Sequence, residues 1–78
     1  MKLSIVSPED TLYEGEVKSV KMQGIDGKFQ VLNNHSPLIS ALSKGEIKIE
    51  EESGNQISFT INSGLVELAK NEIHILAQ

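Results

Sequence analysis

Short runs of alternating apolar and polar residues dominate the chain. In residues 46–50, Ile47 and Ile49 alternate with charged residues, and in residues 57–61 isoleucine and phenylalanine alternate with serine and threonine. Successive side chains of a strand point to opposite faces, so each run predicts one apolar and one polar face. No window of ten or more residues keeps the apolar period of a helix. The pattern therefore favours β-strands throughout.

Turn-forming residues separate these runs. Ser53-Gly54-Asn55 lies between two alternating runs and predicts a hairpin turn, because glycine and asparagine tolerate a positive φ. Val17 and Val20 break the alternation, and a β-bulge near residues 18 and 19 would restore it. We predict one all-β domain over residues 1–78, a two-layer antiparallel β-sandwich of about eight to ten short strands. The expected core consists of Phe29, Ile47, Ile49, Ile57, Phe59, Ile61, Ile73 and Ile75.

The composition excludes several classes of function. The chain has 78 residues and no cysteine, which excludes a disulfide scaffold and thiolate metal sites. Seven lysines, no arginine and eleven acids give a net charge of −4, and there are only three aromatic residues. Nucleic-acid binding is not expected, since arginine forks and aromatic platforms are its usual means. No apolar run approaches the roughly 20 residues needed to span a bilayer.

The sequence contains little that would indicate an enzyme. The two histidines, His35 and His74, are far apart, and neither a Gly-x-Ser-x-Gly elbow nor a phosphate-binding glycine loop occurs. His74 lies between two isoleucines of an alternating run, so it is predicted to face solvent. We expect no catalytic, cofactor-binding or metal-binding residues.

His35 occupies a more unusual place. It follows an Asn-Asn turn at the end of a strand, and Pro37 restricts the geometry of the residues around it. One interpretation is that His35 hydrogen-bonds a backbone group within its own loop. The other is that residues 33–38 form a docking surface. Residue chemistry alone leaves both open.

The segment around His35 resembles a known family. Its pattern Gly27-x-Phe29-x-Val31-Leu32-x-Asn34-His35-x-Pro37-Leu38 is similar to the signature of epsilon subunits of F-type ATP synthases. The resemblance covers the whole chain, because further pieces follow in the family's order. These are Leu3-x-Ile5-Val6-Ser7-Pro8-Glu9, Tyr13-x-Gly15-x-Val17, Gly45-x-Ile47-x-Ile49, Ser63-Gly64-x-x-Glu67 and Ile75-Leu76-Ala77.

The resemblance implies a non-catalytic rotor subunit in the central stalk. Such a subunit links the γ subunit to the membrane c-ring and couples ion translocation to ATP synthesis, as a peripheral protein on the cytoplasmic face of the bacterial inner membrane. It implies a γ contact at Ser7. The neighbouring Val6 is apolar and out of phase with Leu3 and Ile5, so it is either part of the same γ contact or part of a second small buried patch. The implied c-ring contacts are Lys28, Phe29, Asn34, His35, Pro37 and Leu38. Position 28 is often acidic in the family, so Lys28 departs from it and suggests a compensating acid on the partner.

The end of the chain is a second departure. Family members commonly continue into a C-terminal helical hairpin that inhibits ATP hydrolysis, whereas this sequence ends at Gln78. The expectation is therefore a coupling subunit without a C-terminal helical domain or self-inhibition, and a monomer when isolated.

Two other classes of protein share features with this sequence. Biotinyl and lipoyl carrier domains are sandwiches of about this size, and Val20-Lys21-Met22 faintly resembles their modified-lysine turn. Lys21 is predicted within a strand over residues 17–23, however, and the modified lysine must sit at a hairpin tip. The other alternative is a free-standing binding module.

Overall fold

A computed structural model describes all 78 residues and contains strands only. The eight strands are β1 Lys2–Val6, β2 Thr11–Gly24, β3 Gly27–Leu32, β4 Leu38–Leu42, β5 Gly45–Glu51, β6 Gln56–Ile61, β7 Gly64–Ala69 and β8 Glu72–Ala77. There is no helix of the length and apolarity that crossing a membrane would require. The predicted all-β class is confirmed, at the lower end of the expected strand number.

The strands form two layers that share the long strand β2. Its first half pairs with β1 and continues through β8 and β7 to β4, which makes the first layer. Its second half pairs with β3 on one side and β5 on the other, and β6 completes the second layer. Seven pairings are antiparallel as predicted, and β1 with β8 is parallel.

A bulge lets β2 serve both layers. The pairing of β2 with β5 shifts register between Val17 and Ser19, as the broken alternation predicted. Val17, Val20 and Met22 are all buried despite their irregular spacing. The extra residue therefore keeps the apolar side chains of both halves of the strand in the core.

One cluster of 16 buried residues forms the core between the layers. It includes Ile47, Ile49, Ile61, Ile73 and Ile75, as expected. The other three expected residues are only partly buried and pack against the cluster. These are Phe29, Ile57 and Phe59. They lie on β3 and β6, the two edge strands of the second layer, so their inward side chains reach the rim of the core.

Tyr13 ties the two halves of the fold together. Its hydroxyl donates a hydrogen bond to Glu51 Oε2 at 2.5 Å, and its ring meets Phe59 edge-on with centroids 6.0 Å apart. Burial and the Glu51 carboxylate raise the pKa of Tyr13 to about 12. The contact joins the first half of β2 to the β5–β6 hairpin.

The sandwich has two ends that matter for the candidate site. At the Gly24 end, the β2–β3 turn lies beside the end of β4, because Ile25 N–H donates to Ala41 O at 3.2 Å. The start of β7 lies there too, since Leu42 pairs with Gly64. At the Asn33 end lie the loop of residues 33–37, the β7–β8 turn and the start of β1.

Candidate functional site

The loop over residues 33–37 is held in place by hydrogen bonds. Asn34 has a positive φ of 64°, a conformation that asparagine tolerates better than most residues. Its N–H donates to Asn71 Oδ1 at 3.0 Å, and the His35 N–H donates to Leu32 O at 3.1 Å. Asn33 Oδ1 accepts a hydrogen bond from the amino group of Met1 at 3.0 Å. The loop is thus anchored to both β1 and the β7–β8 turn.

The His35 ring makes the local contact that one interpretation predicted. Nδ1 lies 2.7 Å from Ser36 O, and because a carbonyl can only accept, Nδ1 must carry the proton. The side chain is exposed, and Nε2 makes no hydrogen bond. The local interpretation is confirmed. The docking interpretation stays a prediction, since a ring held through Nδ1 still presents Nε2 to a partner.

Five of the six predicted c-ring contacts fall into two groups, and the sixth, Leu38, lies on β4. Lys28 and Phe29 begin β3 near the Gly24 end, whereas Asn34, His35 and Pro37 follow the other end of that strand. At 3.3–3.4 Å per residue, the groups are about 20 Å apart. Lys28 is exposed but Phe29 is partly buried against the core. Leu38 starts β4, where it pairs with Leu68.

The two predicted γ contacts lie beside a row of apolar side chains. Val6 pairs with Leu76 of β8, which pairs with Leu65 of β7, which pairs with Ala41 of β4. We call Val6, Leu76, Leu65 and Ala41 the apolar row. It crosses the outer face of the first layer, where Leu76 is 54% exposed and Leu65 is 42% exposed.

A groove of about 640 Å³ follows the apolar row. Ser7 and Pro8 form one wall, and Gly64 is also part of the lining. Ser7 Oγ accepts a hydrogen bond from the Asp10 N–H at 3.1 Å, so the hydroxyl shapes the turn after β1. Val6 and Ser7 are therefore brought together with surface residues from three other strands.

The outer face of the second layer has a different character. Its central row runs from Gln30 through Lys21 and Lys48 to Ser58, with no apolar member. Lys21 lies inside β2, as predicted, and not at a hairpin tip. This placement removes the geometric basis for a swinging-arm carrier.

Several exposed apolar residues were missed by sequence reasoning. Leu65 and Leu76 belong to the apolar row, Ile39 lies two residues from Ala41 in β4, and Ile25 occupies the tip at the Gly24 end. A signal for two of them exists, since Leu65-Val66 and Ile75-Leu76 are adjacent apolar pairs. In a strand, only one member of such a pair can face the core.

Comparison with known proteins gives one family. Residues 1–78 match the model of the family described as the β-sandwich domain of the ATP synthase delta/epsilon chain.

Similar curated proteins are ATP synthase epsilon chains. The chain is 44% identical over 77 residues to the ATP synthase epsilon chain of Helicobacter pylori strain Shi470, which covers 99% of this chain and 62% of the relative. It is 36% identical to the epsilon chain of Chlorobium limicola, covering 99% and 88%. The chain thus spans 62% of the length of the Helicobacter relative.

Solved structures share the fold. A chain of the Euglena gracilis mitochondrial ATP synthase superposes with a TM-score of 0.90 at 18% identity, over 96% of this chain and 48% of that one. A chain from the central stalk and c-ring structure of the Tetrahymena thermophila mitochondrial enzyme gives 0.81 at 18% identity, over 100% and 63%. At 18% identity, this similarity supports the two-layer fold alone.

Proposed function

The chain belongs to the family of β-sandwich domains of ATP synthase delta and epsilon chains, and from this premise we propose that it is a rotor component of an F-type ATP synthase. It joins the γ subunit to the membrane c-ring and so couples ion translocation to ATP synthesis. It supplies no catalytic group. Its place is the cytoplasmic face of the bacterial inner membrane, where it is held through the complex and not by its own insertion.

The observation that carries this proposal is the exposed apolar row. Contiguous apolar surface on a folded protein marks a site that another surface covers. Leu65 and Leu76 are both substantially exposed, and they lie in one groove with Val6 and with Ser7, the position that the family resemblance assigns to γ. We therefore assign the apolar row and its groove to the γ subunit.

The c-ring contact follows from the position of β3. This strand is at the edge of the second layer, with Lys28 near one end and His35 beyond the other. A ring surface that lies along the strand would touch both groups despite their separation. Leu32 of β3, also exposed, would lie between them. Lys28 would then face an acidic side chain of the ring.

The mechanical role needs a stiff body between two partners. The chain has 51 backbone–backbone hydrogen bonds, of which 39 lie within the strand pairings. Because β2 belongs to both layers, a force on the outer face of the first layer reaches β3 through continuous backbone. The subunit transmits torque in this way, and the chemistry takes place in other subunits.

Binding of the purified γ subunit tests the assignment. Leu76→Glu places a carboxylate in the apolar row and should weaken γ binding by at least about tenfold, since a charged group would replace an apolar contact and lose its water on binding. Leu32→Glu is the matched control, because Leu32 and Leu76 are both 54% exposed and Leu32 lies on β3. The control should bind γ like the parent protein. Equal affinity of the Leu76→Glu variant and the parent would refute the assignment.

A further inference from the structure

Glu67 is a carboxylate on the wall of an apolar depression. It lies on β7 opposite Ile39 of β4 and His74 of β8. Together with Leu65 and Leu76, these three residues line a depression of about 220 Å³. Since Leu65 and Leu76 line both cavities, the depression borders the groove assigned to γ.

Glu67 has no cationic partner in the chain. His74, opposite Glu67 on β8, has its Nε2 3.9 Å from Oε1 of Glu72 on its own strand. The other ion pairs involve the amino group of Met1 with Glu16 and Lys48 with Glu46. No lysine lies within 4.0 Å of the Glu67 carboxylate, so no ion pair within the chain neutralises its charge.

The surrounding face is acidic. The exposed charged positions of the paired strands β1, β2, β7 and β8 on this face comprise four carboxylates and one ammonium group. They are Glu14, Glu16, Glu67, Glu72 and Lys2. Lys2 lies opposite Glu16 and Glu72, and thus away from Glu67. Of the other lysines, Lys21, Lys28 and Lys48 lie on the second layer and Lys18 lies at the bulge of β2. Lys44 and Lys70 lie in the β4–β5 and β7–β8 turns.

When a partner covers the apolar row, the Glu67 carboxylate needs a new group to pair with. A partner that fills the groove and the adjoining depression removes water from this carboxylate. Burial of an unpaired carboxylate is strongly unfavourable, whereas a paired and hydrogen-bonded one is tolerated. A purely apolar partner surface would therefore bind this face less tightly.

We infer that the γ surface covering the apolar row is amphipathic and carries a lysine or arginine that pairs with Glu67. This inference rests on the proposed docking of γ to that row. The apolar contacts supply most of the affinity. The ion pair at the edge of the depression fixes the register of the two surfaces and rejects partners that lack a cation there.

The test uses Glu67→Gln, which removes the charge and keeps the shape. Glu52→Gln is the matched control, because Glu52 is an exposed carboxylate in the β5–β6 turn, outside the first-layer face. Affinity for purified γ is measured between about 50 and 500 mM salt. Glu67→Gln should weaken binding about three- to tenfold at low salt and flatten the salt dependence. The control should match the parent.

The outcomes separate the two claims. If Glu67→Gln binds like the parent at every salt concentration while Leu76→Glu fails to bind, the docking site stands and the cation inference is wrong. If Leu76→Glu binds normally, the docking site itself is wrong. His74→Gln should leave the salt dependence unchanged. An equal loss in that variant would assign the charge partner to His74 and overturn the inference.

Discussion

At the scale of single residues, the fold depends on a few contacts that alternation does not reveal. The hydrogen bond from Tyr13 to Glu51 links two residues that are 38 positions apart in sequence. Gly64 is another case, because a Cβ there would lie 2.7 Å from Leu76 O. Both residues support the first layer, whose outer face carries the apolar row.

Replacing Tyr13 with phenylalanine should destabilise the protein by about 1–2 kcal/mol, since the ring packing is kept and the hydrogen bond to a carboxylate is lost. Urea unfolding at neutral pH measures the difference. A free energy of unfolding equal to that of the parent would show that water replaces the hydrogen bond without cost.

The raised pKa of Tyr13 also predicts a pH dependence. The folded state binds the phenol proton more tightly than the unfolded chain, whose tyrosine pKa is about 10. The stabilisation is therefore complete below pH 10 and is lost as pH rises towards 12. Unfolding measured across this range should show a decline that is smaller in Tyr13→Phe. If the free energy of unfolding fell equally with pH in both proteins, the raised pKa of Tyr13 would be contradicted.

Gly64→Ala should cost about 1–3 kcal/mol, because the added methyl group meets a backbone oxygen that cannot move away without disturbing β8. Thermal unfolding measures the cost. Ser63→Ala is the control, since the neighbouring residue is exposed and adds no atom to the contact. A Gly64→Ala variant as stable as the control would mean that β7 and β8 separate easily.

At the scale of the strands, the bulge in β2 allows one strand to serve two layers. A one-residue change of phase would turn the apolar side chains of one half towards solvent. Deleting Lys18 removes the extra residue and should abolish the cooperative unfolding transition, whereas Lys18→Ala keeps the backbone and should be tolerated. A deletion variant that unfolds cooperatively with parental stability would contradict this role.

The positions of the strands were predictable from the sequence, but which strands pair with each other was not. Alternation located Ile47, Ile49, Ile73 and Ile75 in the core because the period of a strand is local information. The partial burial of Phe59 depends on β6 being an edge strand, which follows from pairings between distant segments. The parallel pairing of β1 with β8 is of the same kind.

At the scale of the whole molecule, the two outer faces differ in chemistry. The first layer presents the apolar row with carboxylates around it, and the second presents a polar row with two lysines at its centre. The family resemblance pointed to Ser7 as a γ contact, and the structure places Ser7 and its neighbour Val6 at the edge of the first face. The resemblance did not predict that Leu65 and Leu76 complete that face, because their side-by-side placement is set by the β7–β8 register.

The measurement that tests the central claim most directly is cross-linking in the assembled ATP synthase. The chain has no cysteine, so a single cysteine can carry a photoreactive group at one chosen site. Leu65→Cys places it in the apolar row, and Ser58→Cys places it on the outer face of the second layer. The rotor account predicts a covalent adduct with γ from position 65 and none from position 58. An adduct with γ from position 58 and none from position 65 would contradict it.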